Sequence, residues 1–136
     1  MLQTSIRSIE IFKLFMPLKE PFVISLGPIN EVQNVVVRVR TADGCTGYGE
    51  CSPYMTINGE SIDTCFAVAQ YLARGLHGHD ALDIAGCLAI MNRIIYANSS
   101  IKSAFDIALH DIAAQQAGLP LYAFLGANLI KFSLPT

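Results

Sequence analysis

Few residues of this chain could do chemistry, and they are scattered. His77 and His79 flank Gly78 in LHGHD with Asp80 beside them. Two imidazoles and a carboxylate could begin a metal site, but a metal needs several ligands converging, and histidines at i and i+2 around a glycine fit a solvated turn better. Asp106 and His110 have the i, i+4 spacing of an acid–base pair on a helix, which is equally the spacing of an ordinary surface pair. Asp111 is the carboxylate expected to be half-buried, and its plainer role is to satisfy backbone amides or tie helix to strand. Glu50, at the end of a strand and the rim of a loop, is read as structural in the same way. No GxSxG, phosphate-binding loop or dinucleotide fingerprint occurs, and GYGE at 47–50 is by itself only a glycine-rich strand end. The residues alone supply no complete catalytic constellation.

The elements that would position these groups are more legible. Asp111 lies in the run 98–126, NSSIKSAFDIALHDIAAQQAGLPLYAFLG, which carries full helix punctuation. Ser99 or Ser100 can cap the first turn, and Ile101, Phe105, Ala108, Leu109 and Ile112 recur at helical spacing. Gly118 takes the C′ position and Pro120 prevents resumption. Lys102, Asp106 and His110 fall on one solvated flank, and Asp111 falls about a quarter-turn away between Ile107 and Ala104. Apolar residues on two arcs imply packing from two directions.

Ahead of that helix, 5–15 alternates as a strand, and 17–32 is broken by Pro17, Pro21, Gly27 and Pro28, which predicts a long loop. Val35, Val37 and Val39 alternate with Arg38 and Arg40 in a second strand over 33–41. Ala42, Asp43 and Gly44 then turn the chain into a third strand over 45–51. A second irregular stretch, CSPYMTINGES, leads to helices from Ser61 to Gly75 or Gly78 and over 80–97. Strands followed by helices predict an α+β domain: a three-stranded antiparallel meander covered by a layer of three to four helices. The meander brings the two irregular stretches to one end of the sheet.

Composition narrows the function. The chain has 136 residues, a net charge of −2 and only nine Lys and Arg, so no basic stripe offers itself to nucleic acid. Hydrophobic residues make up 52% and the mean hydropathy is +0.43, yet no apolar run reaches the roughly 18 residues that span a bilayer. The N-terminus lacks the basic and apolar segments of a signal peptide. Four cysteines without CxxC spacing favour reduced thiols in a cytoplasmic protein, although two disulfides remain open. The apolar excess suggests a face made for a partner, and the segment LIKFSLPT reads as a strand that starts at a domain boundary, with more protein expected to follow.

In order and spacing, VVVRVRTADGCTGYGECSP followed by SIKSAFDIALHDIAAQQAGLPLYAFLG resembles the N-terminal capping domain of the mandelate racemase and muconate lactonizing group of the enolase superfamily. The matching pieces are the G-x-G-E strand end at Gly47 to Glu50, the A-L-x-D helix at Ala108 to Asp111, and the turn from Gly118 to Gly126. Within the group, TINGES at 56–61 and KEPFVISLG at 19–27 are most similar to dipeptide epimerases of the alanyl-glutamate type. Muconate cycloisomerases, o-succinylbenzoate synthases and N-acylamino acid racemases share the domain and remain alternatives, as does a stand-alone, non-catalytic α+β interaction module.

The resemblance implies a capping domain over 1–126 and, over 127–136, a linker entering the first strand of a (β/α)8 barrel. It implies that the barrel holds the catalytic lysines and three acidic Mg²⁺ ligands, that a proton is abstracted next to a carboxylate, and that this chain alone is silent, with no catalytic or metal residue of its own. The partners implied are a small-molecule dipeptide, the C-terminal barrel and, at full length, further copies of the protein. Carried over by position, the lid residues that would touch substrate are Phe22, Ile24, Ser25, Leu26 and Gly27 in the first loop and Tyr54, Met55, Thr56 and Ile57 in the second. Gly27 stands where some alanyl-glutamate epimerases have an arginine, which favours apolar dipeptides over a glutamyl side chain.

Overall fold

Valines at alternate positions decide how the sheet lies. In a computed structural model that describes residues 2–128, Val35, Val37 and Val39 are fully buried on one face of the central strand. The strands are β1 (Ile6–Ile24), β2 (Gly27–Thr41) and β3 (Thr46–Cys51), antiparallel and in the order β1-β2-β3, as the alternation predicts. Val39 pairs with Ile9 and Gly47, and Val37 with Ile11 and Gly49, so these columns face the core together. The opposite face carries Glu10, Arg38 and Tyr48 in one row. There Arg38 Nε lies 3.0 Å from Glu10 Oε1 in a two-pronged pair that lowers the Glu10 pKa.

The expectation of a long loop over 17–32 is overturned. That stretch is the outer half of a β1–β2 ribbon, with Pro17 opposite Glu31, Phe22 opposite Ile29 and Ile24 opposite Gly27. The prolines signalled a break, but proline removes only an amide donor, and β1 lies at the sheet edge where that loss is tolerated. A slip in register between Pro17 and Phe22 takes up both prolines. Ser25 and Leu26 make the turn, and Gly27 at φ 120° supplies a conformation closed to other residues.

The helices are α1 (Met55–Asn58), α2 (Ile62–Leu76), α3 (Ile84–Ile94), α4 (Ser99–Gln116) and α5 (Leu121–Phe124). Ser61 opens α2 in a reciprocal capping box with Thr64. The third helix is shorter than the 80–97 pattern suggests, because Asp83 accepts from the Gly86 N–H at 3.1 Å and sets the first turn there. In α4 the expected serine cap does not form. Asn98 is the N-cap residue, at φ 54°, and its side chain turns away to the Tyr96 carbonyl. Glu60 fills the vacancy from 40 residues upstream: its carboxylate accepts from the Ser100 N–H at 2.8 Å and the Ile101 N–H at 3.2 Å.

Helix α4 lies closer to β3 than side chains would allow. A methyl group on Gly49 would overlap the Ala104 carbonyl oxygen, and one on Gly47 would overlap the Ala108 carbonyl and Ile112. The glycines of the strand and the alanines of the helix therefore let the two backbones touch. On α4 the arc of Ile101, Phe105, Ala108, Leu109 and Ile112 is buried in the domain, while Ile107 on the other arc is exposed. The expected strand start within 127–136 lies, from residue 129 onward, outside the described residues.

Candidate functional site

At the end of the sheet away from the β2–β3 turn, the outer ribbon and the segment after β3 enclose a cleft of about 600 Å³. Its walls are Leu18 and Phe22 from β1, the Pro28 to Gln33 stretch of β2, and Ser52, Pro53 and Tyr54. Most of that lining is apolar, with Asn30, Glu31, Gln33 and Ser52 as the polar groups. The Gln33 amide donates to Glu31 at 3.1 Å, which fixes one carboxylate oxygen. A pocket of this size and lining can take a small apolar molecule with a few polar anchors.

The second segment is braced from within. The Asn58 Oδ1 accepts from the Tyr54 and Glu60 N–H groups, each at 3.1 Å, and Gly59 closes α1 at φ 73°. Met55 and Thr56 line an adjoining cleft of about 470 Å³ with Tyr54, Gln33 and Asp63. Asp63 is held by Lys13 at 2.7 Å.

Among the nine positions expected on the two lids, Phe22 and Tyr54 line the main cleft, and Met55 and Thr56 line the second. Ile24, Ser25, Leu26 and Gly27 form the ribbon tip beyond the cleft wall, and Ile57 projects from α1 with 71% of its surface exposed. Sequence reasoning did not single out Leu18, Pro28, Ile29, Glu31, Val32 or Gln33. They belong to β1 and to the first half of β2, whose strand character the prolines concealed in the sequence.

The other candidate groups lie elsewhere. Asp111 Oδ2 accepts from the Tyr48 N–H at 2.9 Å, and its other oxygen accepts from Gln115 at 3.1 Å, so the carboxylate joins α4 to β3. Glu50 accepts from the Asn34 amide on the outer sheet face. His110 Nδ1 lies 3.2 Å from Asp106 Oδ1, and Asp106 lines a separate depression with Lys102 and Asn92. All four cysteines are free thiols. Burial pushes the Cys87 thiol up to about 11, and Cys65 is raised further by its neighbour Cys51 and by burial, so both stay protonated at neutral pH.

Among the described residues no three His, Cys, Asp or Glu side chains converge, so none of them offers a ligand set for Mg²⁺. No helix among them is long and apolar enough to cross a membrane. The cleft has the size and lining to take a small molecule, and its described lining residues include no histidine, lysine or cysteine.

Comparison with known proteins places the domain in a family. Residues 6–126 match the family described as mandelate racemase / muconate lactonizing enzyme, N-terminal domain. A D-Ala-D/L-Ala epimerase from Cytophaga hutchinsonii is 61% identical over 126 residues, covering 93% of this chain and 34% of that protein. An L-Ala-D/L-Glu epimerase from Clostridium acetobutylicum is 37% identical, over 89% of this chain and 34% of its own length. The crystal structure of the Cytophaga hutchinsonii dipeptide epimerase complexed with Mg and D-Ala-L-Val superimposes with a TM-score of 0.90 at 59% identity, over 93% of this chain and 34% of that one. The chain thus spans about a third of the length of these relatives.

Proposed function

The chain belongs to the mandelate racemase / muconate lactonizing enzyme N-terminal domain family, and on that premise we propose that it is the substrate-capping domain of a Mg²⁺-dependent epimerase acting on the α-carbon of small apolar dipeptides. The observation that carries this reading is the cleft between the β1–β2 ribbon and the start of the 52–60 segment, lined mostly by apolar side chains. In this reading 1–126 is the cap and 127–136 leads out of it. In this reading the proton transfer and the metal belong to the further two-thirds of length that the relatives have beyond the matched region.

The cap's contribution is physical. An α-proton beside a carboxylate is too weakly acidic to leave in water unless the charge that develops is stabilised in a closed, preorganised site. Phe22 and Tyr54, from two separate segments, can close on the side chain of a bound dipeptide and remove water from that side. Ile24, Ser25, Leu26 and Gly27 at the ribbon tip, with Met55, Thr56 and Ile57 on α1, are the further positions assigned to substrate contact. Gly27 brings no side chain to the ribbon tip, which suits small apolar residues such as alanine, and the similarity to the D-Ala-D/L-Ala epimerase of Cytophaga hutchinsonii supports that preference. Glu50 and Asp111 are assigned structural roles on the strength of their bonds to Asn34 and Tyr48. The four free thiols support a cytoplasmic location, and a homo-oligomer is the state expected at full length.

The test is an epimerisation assay of the full-length protein with Mg²⁺ and a panel of dipeptides, beside the 136-residue chain alone. Epimerisation of Ala-Ala and similar dipeptides by the full-length protein, and none by the chain alone, is expected. Turnover by the isolated chain, or a full-length protein inert on every dipeptide, would overturn the proposal.

A further inference from the structure

Glu60 is a carboxylate without an assignment, and it is 4% exposed. A buried carboxylate is unfavourable unless its oxygens are satisfied, and here they are: the Ser100 and Ile101 N–H groups donate at 2.8 and 3.2 Å, and the Cys65 thiol lies at 3.5 Å. The donors are orphan amides at the positive end of an 18-residue helix, where a negative charge is favoured. Asn98 leaves them free by turning its own side chain to Tyr96.

The other half of the observation is what Glu60 is attached to. Its own N–H is one of the two groups gathered by the Asn58 side chain, and the second is the Tyr54 N–H at the cleft wall. The segment from Ser52 to Glu60 is thus a strap with both feet on α4. One foot is β3, locked to the helix through Gly47 and Gly49, and the other is the Glu60 carboxylate at the helix N-terminus. We propose that Glu60 is a positioning residue: by clamping the segment to α4 it holds Tyr54, Met55 and Thr56 at the rim of the cleft, and so sets how tightly the cap closes on substrate. The substrate half of this inference rests on the epimerase reading; the clamp itself does not.

Amide hydrogen exchange and kinetics separate the two. In Glu60→Gln one carboxylate oxygen becomes an NH2 group facing amide donors, and the clamp opens. In the 136-residue chain, exchange at Ile57, Asn58 and Gly59 should accelerate about five- to tenfold together with Ser100 and Ile101, while β2 amides keep their protection. Ser99→Gly, which loosens the first turn of α4 and leaves Glu60 in place, should speed the helix amides alone. Glu60→Asp keeps the charge on a shorter arm and should fall between wild type and Gln; should Gln prove too unstable to hold its β2 protection, Asp carries the same comparison. In the full-length protein, Glu60→Gln should raise KM for the dipeptide about fivefold with kcat changed less than about twofold. Acceleration confined to the α4 amides, no acceleration in either place, or an unchanged KM in an active enzyme would overturn the proposal. A wild-type protein that epimerises nothing would refute the function instead, and the exchange data would still decide the clamp.

Discussion

The two ends of the sheet are held by opposite means. At β3 the backbone of the strand lies against the backbone of α4, with Gly47 and Gly49 leaving no room for a side chain between them. At the outer ribbon Phe22 is 62% exposed beside an open cleft, and the strands are joined to each other by their pairing. The first end is therefore dictated by contact, and almost any change there is felt. The second meets the rest of the described domain across a cleft rather than through a packed core, so its side chains are free to suit whatever fills that cleft. A cap that must both stay in register and change its preference gains from that separation.

The largest effect expected on this contrast is in the core that fixes the α4 end. Phe105 is fully buried, and Phe105→Ala should destabilise by about 3–5 kcal/mol in urea unfolding. Gly49→Ala adds one methyl where the Ala104 carbonyl already sits and should cost about 1–3 kcal/mol, a large effect for the smallest possible substitution. If it proved neutral, the interlock between strand and helix would be refuted. Asp111→Ala removes the acceptor of the Tyr48 N–H and should cost about 1.5 kcal/mol, since the lost bond is to a charged group.

Acid sharpens the picture at the β2–β3 turn. The Thr41 hydroxyl, the Cys45 N–H and the Gln116 amide hold the Asp43 carboxyl below its ordinary value of 3.8. A lowered folded-state pKa contributes stability that is present above the unfolded value and lost as pH falls through the folded one. The urea midpoint should therefore drop as pH is taken below 3.8, and Asp43→Asn should flatten that drop. Smallest in stability and largest in selectivity are the ribbon and α1. Phe22→Ala or Ile57→Ala should shift unfolding by less than about 0.5 kcal/mol, while changing the relative kcat/KM across dipeptides in the full-length protein. Equal kcat/KM ratios in wild type and variants would remove these residues from the substrate rim.

Sequence pattern reached the anchored end more easily than the free one. The alternating valines, the helical spacing of Ile101, Phe105, Leu109 and Ile112, and the Gly118–Pro120 stop each report a local geometry, and the strands and α4 follow them. The ribbon was missed because Pro17, Pro21 and Pro28 argue against pairing one residue at a time, while a register slip takes up the first two jointly and Pro28 pairs with Val23 near the ribbon tip. Glu60 was missed for a different reason. Its meaning lies in amides 40 residues away, left open because Asn98 turns elsewhere, and no pattern around Glu60 reports on either. The close approach of Gly47 and Gly49 is likewise a property of two segments, visible in the sequence only as a glycine-rich strand end.

The broken register of the ribbon has a consequence for solubility. A long, two-stranded, apolar ribbon with an open edge is the kind of surface on which chains add to one another strand by strand and aggregate. Here Phe22 and Val23 lie exposed near that edge, but the slip between Pro17 and Phe22 and the missing donors of Pro17 and Pro21 interrupt the regular row of amides that an incoming strand would need. The irregularity that concealed the ribbon in the sequence thus also guards it, leaving its apolar side chains available to a ligand while denying a template to a second polypeptide.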